Sequence, residues 1–171
     1  MKKTDNAPAH STTSTTKAVK KKSHPFWRWF WLTFLVVSLG YAWYSFYVPS
    51  NDVVWADDMV TAQKLANDSG KNMLLFFTGK WCVPCRIMKR EVFADKEVMK
   101  AINSKVVPIM IDVDDANAKD LVEKYNIGGT PITIFTDPRG NVLDYAVGKI
   151  GKTKFMEMLE KLGAASTGLK Q

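Results

Sequence analysis

Residues 29–48 read Trp-Phe-Trp-Leu-Thr-Phe-Leu-Val-Val-Ser-Leu-Gly-Tyr-Ala-Trp-Tyr-Ser-Phe-Tyr-Val and contain no charged side chain. No other feature restricts the chain so strongly. As a helix the run extends about 30 Å, the thickness of a bilayer's hydrocarbon core. Trp27, Trp29 and Trp31 gather at one end and Trp43, Tyr44 and Tyr47 at the other. Indole and phenol rings favour the headgroup level, so both ends carry an aromatic belt. A core helix of a soluble domain is rarely apolar on every face over such a length. A cleaved signal peptide needs small residues before the cut. Here Ser45-Phe46-Tyr47-Val48-Pro49 lacks the Ala-x-Ala pattern. The sequence predicts an uncleaved transmembrane anchor over 26–48.

Charge orients the anchor. The chain's net charge is +7, yet residues 1–28 hold Lys2, Lys3, Lys17, Lys20, Lys21, Lys22 and Arg28 against Asp5 alone. The next basic residue after the span is Lys64. The positive-inside rule places the N-terminus in the cytoplasm and the rest across the membrane. In a bacterium that is a single-pass inner-membrane protein with a periplasmic, extracytoplasmic domain. Residues 1–25 are rich in Ser, Thr and Lys without apolar periodicity, and read as a disordered tail. A basic chain invites a nucleic-acid reading. The part after the tail is nearly neutral, however, so the predicted partner is the lipid bilayer and not nucleic acid.

Residues 49–171 read as one domain of alternating helix and strand. Met59, Ala62, Leu65 and Ala66 recur at helical spacing through 56–69, behind Asp57 and Asp58 and before Gly70. Met73 to Phe77 is a continuous apolar run, the mark of a strand buried on both faces. Helices are predicted over 83–92 and 95–103, the second capped by Asp95, and a strand over 106–111 that Pro108 weakens. A helix over 117–125 turns Leu121, Val122 and Tyr125 inward. Gly128-Gly129-Thr130-Pro131 leads into the strand 132–135. Asp137-Pro138-Arg139-Gly140-Asn141 is a hairpin turn to the strand 142–147. A last helix over 152–162 gathers Phe155, Met158, Leu159 and Leu162 on one side. Parallel crossovers followed by one antiparallel hairpin define an α/β fold, with helices on both faces of the sheet.

The chain has two cysteines, Cys82 and Cys85. Such a pair can close a small disulfide ring or supply half a zinc site. Structural zinc takes four protein ligands, and the only histidines, His10 and His24, lie in the tail. No metal site is predicted. A fixed structural disulfide over three residues removes little loop entropy. The position favours chemistry instead. The pair follows a buried strand and opens a helix, where free amides and the positive dipole end stabilise a thiolate. Lys80 and Arg86 flank it, and Pro84 falls in the first turn, where its missing N–H costs little. Cys82 as thiolate attacks a substrate disulfide, and Cys85 resolves the mixed disulfide; the steps reversed oxidise a dithiol.

The segment Trp81-Cys82-Val83-Pro84-Cys85 after an apolar strand, with Gly129-Thr130-Pro131 before a later one, resembles the thioredoxin superfamily over residues 53–163. Cys82 to Phe93 is most similar to the soluble reductant domain of the DsbD type and related membrane-anchored thioredoxin-like proteins. The resemblance implies a thioredoxin-like fold, with Cys82 as nucleophile, Cys85 as resolving thiol and Trp81 beside the exposed sulfur. It implies a cis Pro131 facing the cysteines and a Thr130 backbone that pairs with an incoming substrate strand. No cofactor is expected beyond the redox-active Cys82–Cys85 disulfide. Two positions depart from the pattern. Phe76 and Lys89 stand where members carry proton-shuttling carboxylates, which leaves Glu91 and Asp95 as nearby acids, both expected to face solvent.

The predicted function is a membrane-tethered thiol–disulfide oxidoreductase that reduces protein disulfides, supplied by a membrane electron donor. A specialised reductant for cytochrome c or copper-centre maturation is the alternative, but those families often carry a domain insertion for which 106–131 has no room. A binding or holdase module is the alternative of another class, and the intact cysteine pair with Thr130-Pro131 argues against it. Asp112, Asp114, Asp115 and Asp120 lack calcium-loop spacing and read as a strand-end loop. Met73, Met110, Met156 and Met158 read as packing.

Overall fold

A computed structural model of the chain describes residues 25–167. The tail reading over 1–25 falls, save for Pro25, outside the described residues. The chain divides into two compact units, one ending at Ser45 and the other beginning at Phe46.

The first unit is described by the helix α1, Pro25–Phe46. Proline suits this first helical position, since the N–H it lacks would be unpaired there. Residues Phe26–Phe46 have a mean hydropathy of 1.2 and are long and apolar enough to cross a membrane. Tyr47 and Val48, expected inside the span, fall beyond the helix end.

The second unit contains α2 (Met59–Ser69), β1 (Asn72–Thr78), α3 (Val83–Glu91), α4 (Lys96–Lys105), β2 (Val106–Asp112), α5 (Lys119–Lys124), β3 (Ile132–Thr136), β4 (Val142–Val147) and α6 (Lys152–Thr167). Local chemistry sets these boundaries. Asp58 caps α2 by accepting the Thr61 amide at 2.7 Å, so the helix starts three residues later than its periodicity implies. Gly70 ends α2 with φ +63°, a conformation that disfavours a side chain. Asp95 caps α4 through the Glu97 and Val98 amides.

The four strands lie in the order β2-β1-β3-β4. β1 pairs parallel with β2 and antiparallel with β3, and β3 pairs antiparallel with β4. The sequence led us to expect parallel crossovers up to the final antiparallel hairpin; the hairpin is present, and of the crossovers only the first is parallel. The reason is length. After β2, a 3-10 turn at Ala116–Ala118 and the six-residue α5 advance only about 15 Å. A seven-residue strand spans about 23 Å. The chain therefore re-enters the sheet at the end it left, and β3 runs the other way. The fold is a mixed four-stranded sheet with helices on both faces, a thioredoxin-like fold.

Alternation along β1 explains its unbroken apolar run. Leu74 and Phe76 enter one core with Cys85 and Met88 of α3, Val98 and Ile102 of α4, and Phe155 and Leu159 of α6. Met73, Leu75 and Phe77 enter the other with Ala62 and Ala66 of α2. Pro108 is tolerated because β2 is an edge strand. Its carbonyl accepts the Ala56 amide at 2.8 Å, so its nitrogen faces away from the ladder with β1. Ala56 bridges Ile109, where we expected a helix start. Upstream, the Val54 amide donates to Asn103 Oδ1 at 3.0 Å, and Asn103 Nδ2 donates to the Asp52 carbonyl at 2.9 Å. Residues 51–56 thus form a strap fastened to α4 and β2.

Candidate active site

The site lies where β1 ends and α3 begins. The Cys82 amide donates to the Gly79 carbonyl at 3.2 Å, which folds residues 79–82 into a tight turn. Cys82 is then the N-cap of α3. Its backbone is extended, its carbonyl accepts the Arg86 amide, and its Sγ accepts the Cys85 amide at 3.2 Å. A sulfur there meets the amides a helix start leaves unpaired, which favours negative charge on it. Pro84 sits in the first turn, as its lost donor allows.

Cys82 and Cys85 are joined as a disulfide with Cα atoms 5.2 Å apart. Their burial differs. Cys82 is half-buried, whereas Cys85 is 1% exposed and belongs to the core under α3. Trp81 is 87% exposed, and Val83 on the other side of Cys82 is exposed as well. A half-buried sulfur flanked by two exposed apolar side chains suits a polypeptide surface.

Two more loops complete the site. Val113 donates to the Thr78 carbonyl at 2.8 Å, and the Lys80 amide donates to the Asp114 carboxylate at 2.9 Å. The loop after β2 therefore braces the loop that carries Trp81. The loop before β3 arrives from the opposite side. A methyl added to Gly79 would meet Asp114 Oδ2 at 3.5 Å and Thr130 Oγ1 at 3.7 Å, so three loops converge on this glycine. The Thr130–Pro131 peptide bond is cis. Phe77 pairs with Ile132, which sets buried Pro131 across from Thr78, and the Pro131 carbonyl accepts the Gly148 amide at 2.8 Å.

The acids adjacent to the motif are engaged elsewhere. Glu91 pairs with Lys149 at 2.9 Å. Asp95, expected to face solvent, is partly buried as the α4 cap and pairs with Lys152 at 3.0 Å. Phe76 is fully buried beneath α3. Burial pushes the Lys89 ammonium below its ordinary range, and the Asp112 carboxylate partly restores it. Among the described residues, no group of three or more His, Cys, Asp or Glu is placed to hold a metal ion. Asp114 is the site residue that sequence reading passed over. Its only signal was its place in the acidic loop after a strand.

A thioredoxin-like fold with a Cys-x-x-Cys disulfide at the start of its first post-strand helix defines the class: the protein is a thiol–disulfide oxidoreductase. The family model for the thioredoxin-like domain matches residues 59–163, and the chain belongs to that family. Similar proteins include thiol:disulfide interchange protein DsbD of Ralstonia nicotianae, 37% identical over 82 residues, which are 47% of this chain and 13% of that protein. DsbD 2 of Pseudomonas aeruginosa is 33% identical over 76 residues, 44% of this chain and 13% of that protein. The chain thus spans only a small part of these curated relatives. Among solved structures, DsbH oxidoreductase superposes with a TM-score of 0.58 at 19% identity, covering 67% of this chain and 86% of that one. The C-terminal domain of Neisseria meningitidis DsbD in its oxidised form gives 0.52 at 20% identity, covering 60% and 90%. These likenesses establish the fold.

Proposed function

We propose that this chain is a membrane-tethered reductase of protein disulfides. Cys82 is the nucleophile and Cys85 the resolving thiol. One observation carries the assignment: a half-buried sulfur caps a helix and is bonded to a fully buried one a turn away. Cys82 as thiolate attacks a substrate disulfide. Cys85 then attacks Cys82, releases the reduced substrate and restores the pair. Trp81 and Val83 supply apolar contact beside the reacting sulfur, and Pro84 shapes the helix start. The Thr130 backbone, next to Pro131, offers pairing groups to an extended substrate segment. The dithiol itself is the redox group.

The apolar helix Phe26–Phe46 supports the tether, and the basic residues before it support a cytoplasmic N-terminus. The redox domain is then extracytoplasmic, in the periplasm of a bacterium with its anchor in the inner membrane. Each turnover leaves the pair oxidised, so a membrane electron donor must reduce it. The DsbD relatives, interchange proteins by name, favour reduction over a holdase role.

Replacing Cys85 by Ser tests the reading. The variant is expected to accumulate mixed disulfides through Cys82, visible by mass spectrometry of unreduced membranes. Cys82→Ser is expected to accumulate none and to lose insulin reduction. Equal trapping by both variants, or a wild type that reduces no protein disulfide, would sink the assignment.

A further inference from the structure

Lys89 of α3 is half-buried, as are Arg86 and Arg90, and burial disfavours its ammonium. It follows Cys85 by four residues, which puts the two on one helix face with Cβ atoms about 6 Å apart. Helical side chains lean toward the N-terminus, so Lys89 leans toward the turn that carries Cys85. Cys85 and Met88 on this side are fully buried. Arg86, by contrast, lies about 100° around the helix from Cys85.

The sheet beneath has a polar end. Phe76 and Met110 face the core that contains Cys85. By strand alternation, Thr78 and Asp112 face the same way, and they are partners in the β1–β2 register. Thr133 lies opposite Phe76. The Thr78 and Thr133 hydroxyls are buried without a hydrogen-bond partner. Lys89 from α3 and Asp112 from β2 thus lie on the Cys85 side of the sheet, with Arg86 next to Cys85 in the chain, its Nε buried without a hydrogen-bond partner. β1, β3 and α6 add the apolar rings of Phe76, Phe135 and Phe155.

We propose that Lys89 is a positioning residue for the resolving step, its ammonium stabilising the Cys85 thiolate one helical turn away. This rests on the assignment of Cys85 as the resolving thiol. In that step the Cys85 thiol gives its proton to water and its sulfur attacks Sγ of Cys82. The Cys82–substrate bond breaks as the Cys82–Cys85 bond forms. The electron pair leaves with the substrate sulfur, which takes a proton from water. A fixed positive charge beside Cys85 favours the first event at neutral pH.

The test titrates Cys85 alone, in the full chain carrying Cys82→Ser, by thiolate absorbance near 240 nm, which needs no reagent access. Lys89→Met is expected to move the transition upward by about one pH unit, tenfold less thiolate at neutral pH. Lys89→Gln repeats the neutral change should Met disturb folding, and Lys89→Arg is expected to stay near the parent. With both cysteines present, Lys89→Met is expected to slow insulin reduction up to tenfold at pH 7 and less at pH 9. An unmoved transition in folded Lys89→Met and Lys89→Gln overturns the proposal. So does an Arg variant shifted as far as the Met variant, because packing would then be the cause. If the parent with both cysteines reduces no disulfide, the functional assignment fails, while the titration still reports whether Lys89 biases Cys85.

Discussion

The Lys80 amide donates to the Asp114 carboxylate across 2.9 Å, and through this bond the loop after β2 holds the loop that presents Trp81 and Cys82. Removing the acceptor frees a backbone donor beside the reactive sulfur. Asp114→Ala is expected to lower stability by about 1 kcal/mol and to slow insulin reduction several-fold. Asp114→Asn, which keeps an acceptor oxygen, should lose less of both. Urea denaturation read beside turbidimetric insulin reduction checks this, and an Ala variant as fast as wild type would refute it.

Trp81 contributes little to the fold, since it is 87% exposed. In the proposed function its place is to contact an arriving protein substrate. Trp81→Ala is expected to change stability by no more than about 0.5 kcal/mol and to raise KM for a protein disulfide with kcat less affected. Steady-state kinetics with a folded disulfide substrate separate the two terms. A large loss of stability would instead assign Trp81 to packing.

Phe93 is where the core under the site is pinned. Its ring meets Trp55, Phe76 and Phe155 edge-on, with centroids at 5.4, 4.8 and 5.5 Å. Edge-to-face contacts of this kind add to the gain from burial. Phe93→Ala is expected to cost about 3–5 kcal/mol, measured by equilibrium urea unfolding. A loss below 1 kcal/mol would mean that the strap carrying Trp55 does not depend on this ring.

A pH-dependent link joins α4 to α6. The Lys152 ammonium, followed by the Val98 amide, holds the Asp95 carboxyl below its ordinary range. Lys152 is raised in turn, first by Glu97 and then by Asp95. The folded state therefore resists protonation of Asp95 more than the unfolded chain does. Its contribution is present above the unfolded carboxyl value of about 3.9 and fades as pH falls through the lower folded value. Lys152 contributes fully below about 10.4 and loses that contribution as pH rises through its higher folded value. Asp95→Asn keeps a capping side chain and removes the charge. Its melting temperature is expected a few degrees below wild type at pH 7, the gap closing toward pH 2. A gap that stays constant across this range would contradict the assignment.

Much of this was legible in the sequence because it is local. The continuous apolar run Met73 to Phe77 announces a doubly buried strand, and Asp137 to Asn141 announces a turn, now seen closed by Asp137 accepting the Arg139 and Asn141 amides. The cysteines open a helix because a strand ends before them and Pro84 suits a first turn. Pairings between distant residues were not legible. The strap at 51–56 has no periodicity of its own, and its partners Met99, Asn103 and Pro108 lie about fifty residues away. The capping role of Asp58 displaced a helix start that apolar spacing alone had set too early.

By itself the sequence determined where charge is absent for the length of a bilayer, which strands are buried, and which two sulfurs can react. Each follows from side-chain type and spacing along one segment. The tertiary structure decided which way β3 runs, that Asp114 holds Lys80, and that Thr130 comes to Gly79. The direction of β3 and the approach of Thr130 depend on where a short α5 lets the chain re-enter the sheet, and the Asp114 contact depends on the pairing of β1 with β2. No local pattern encodes that, because it is fixed only when the two faces of the sheet are packed.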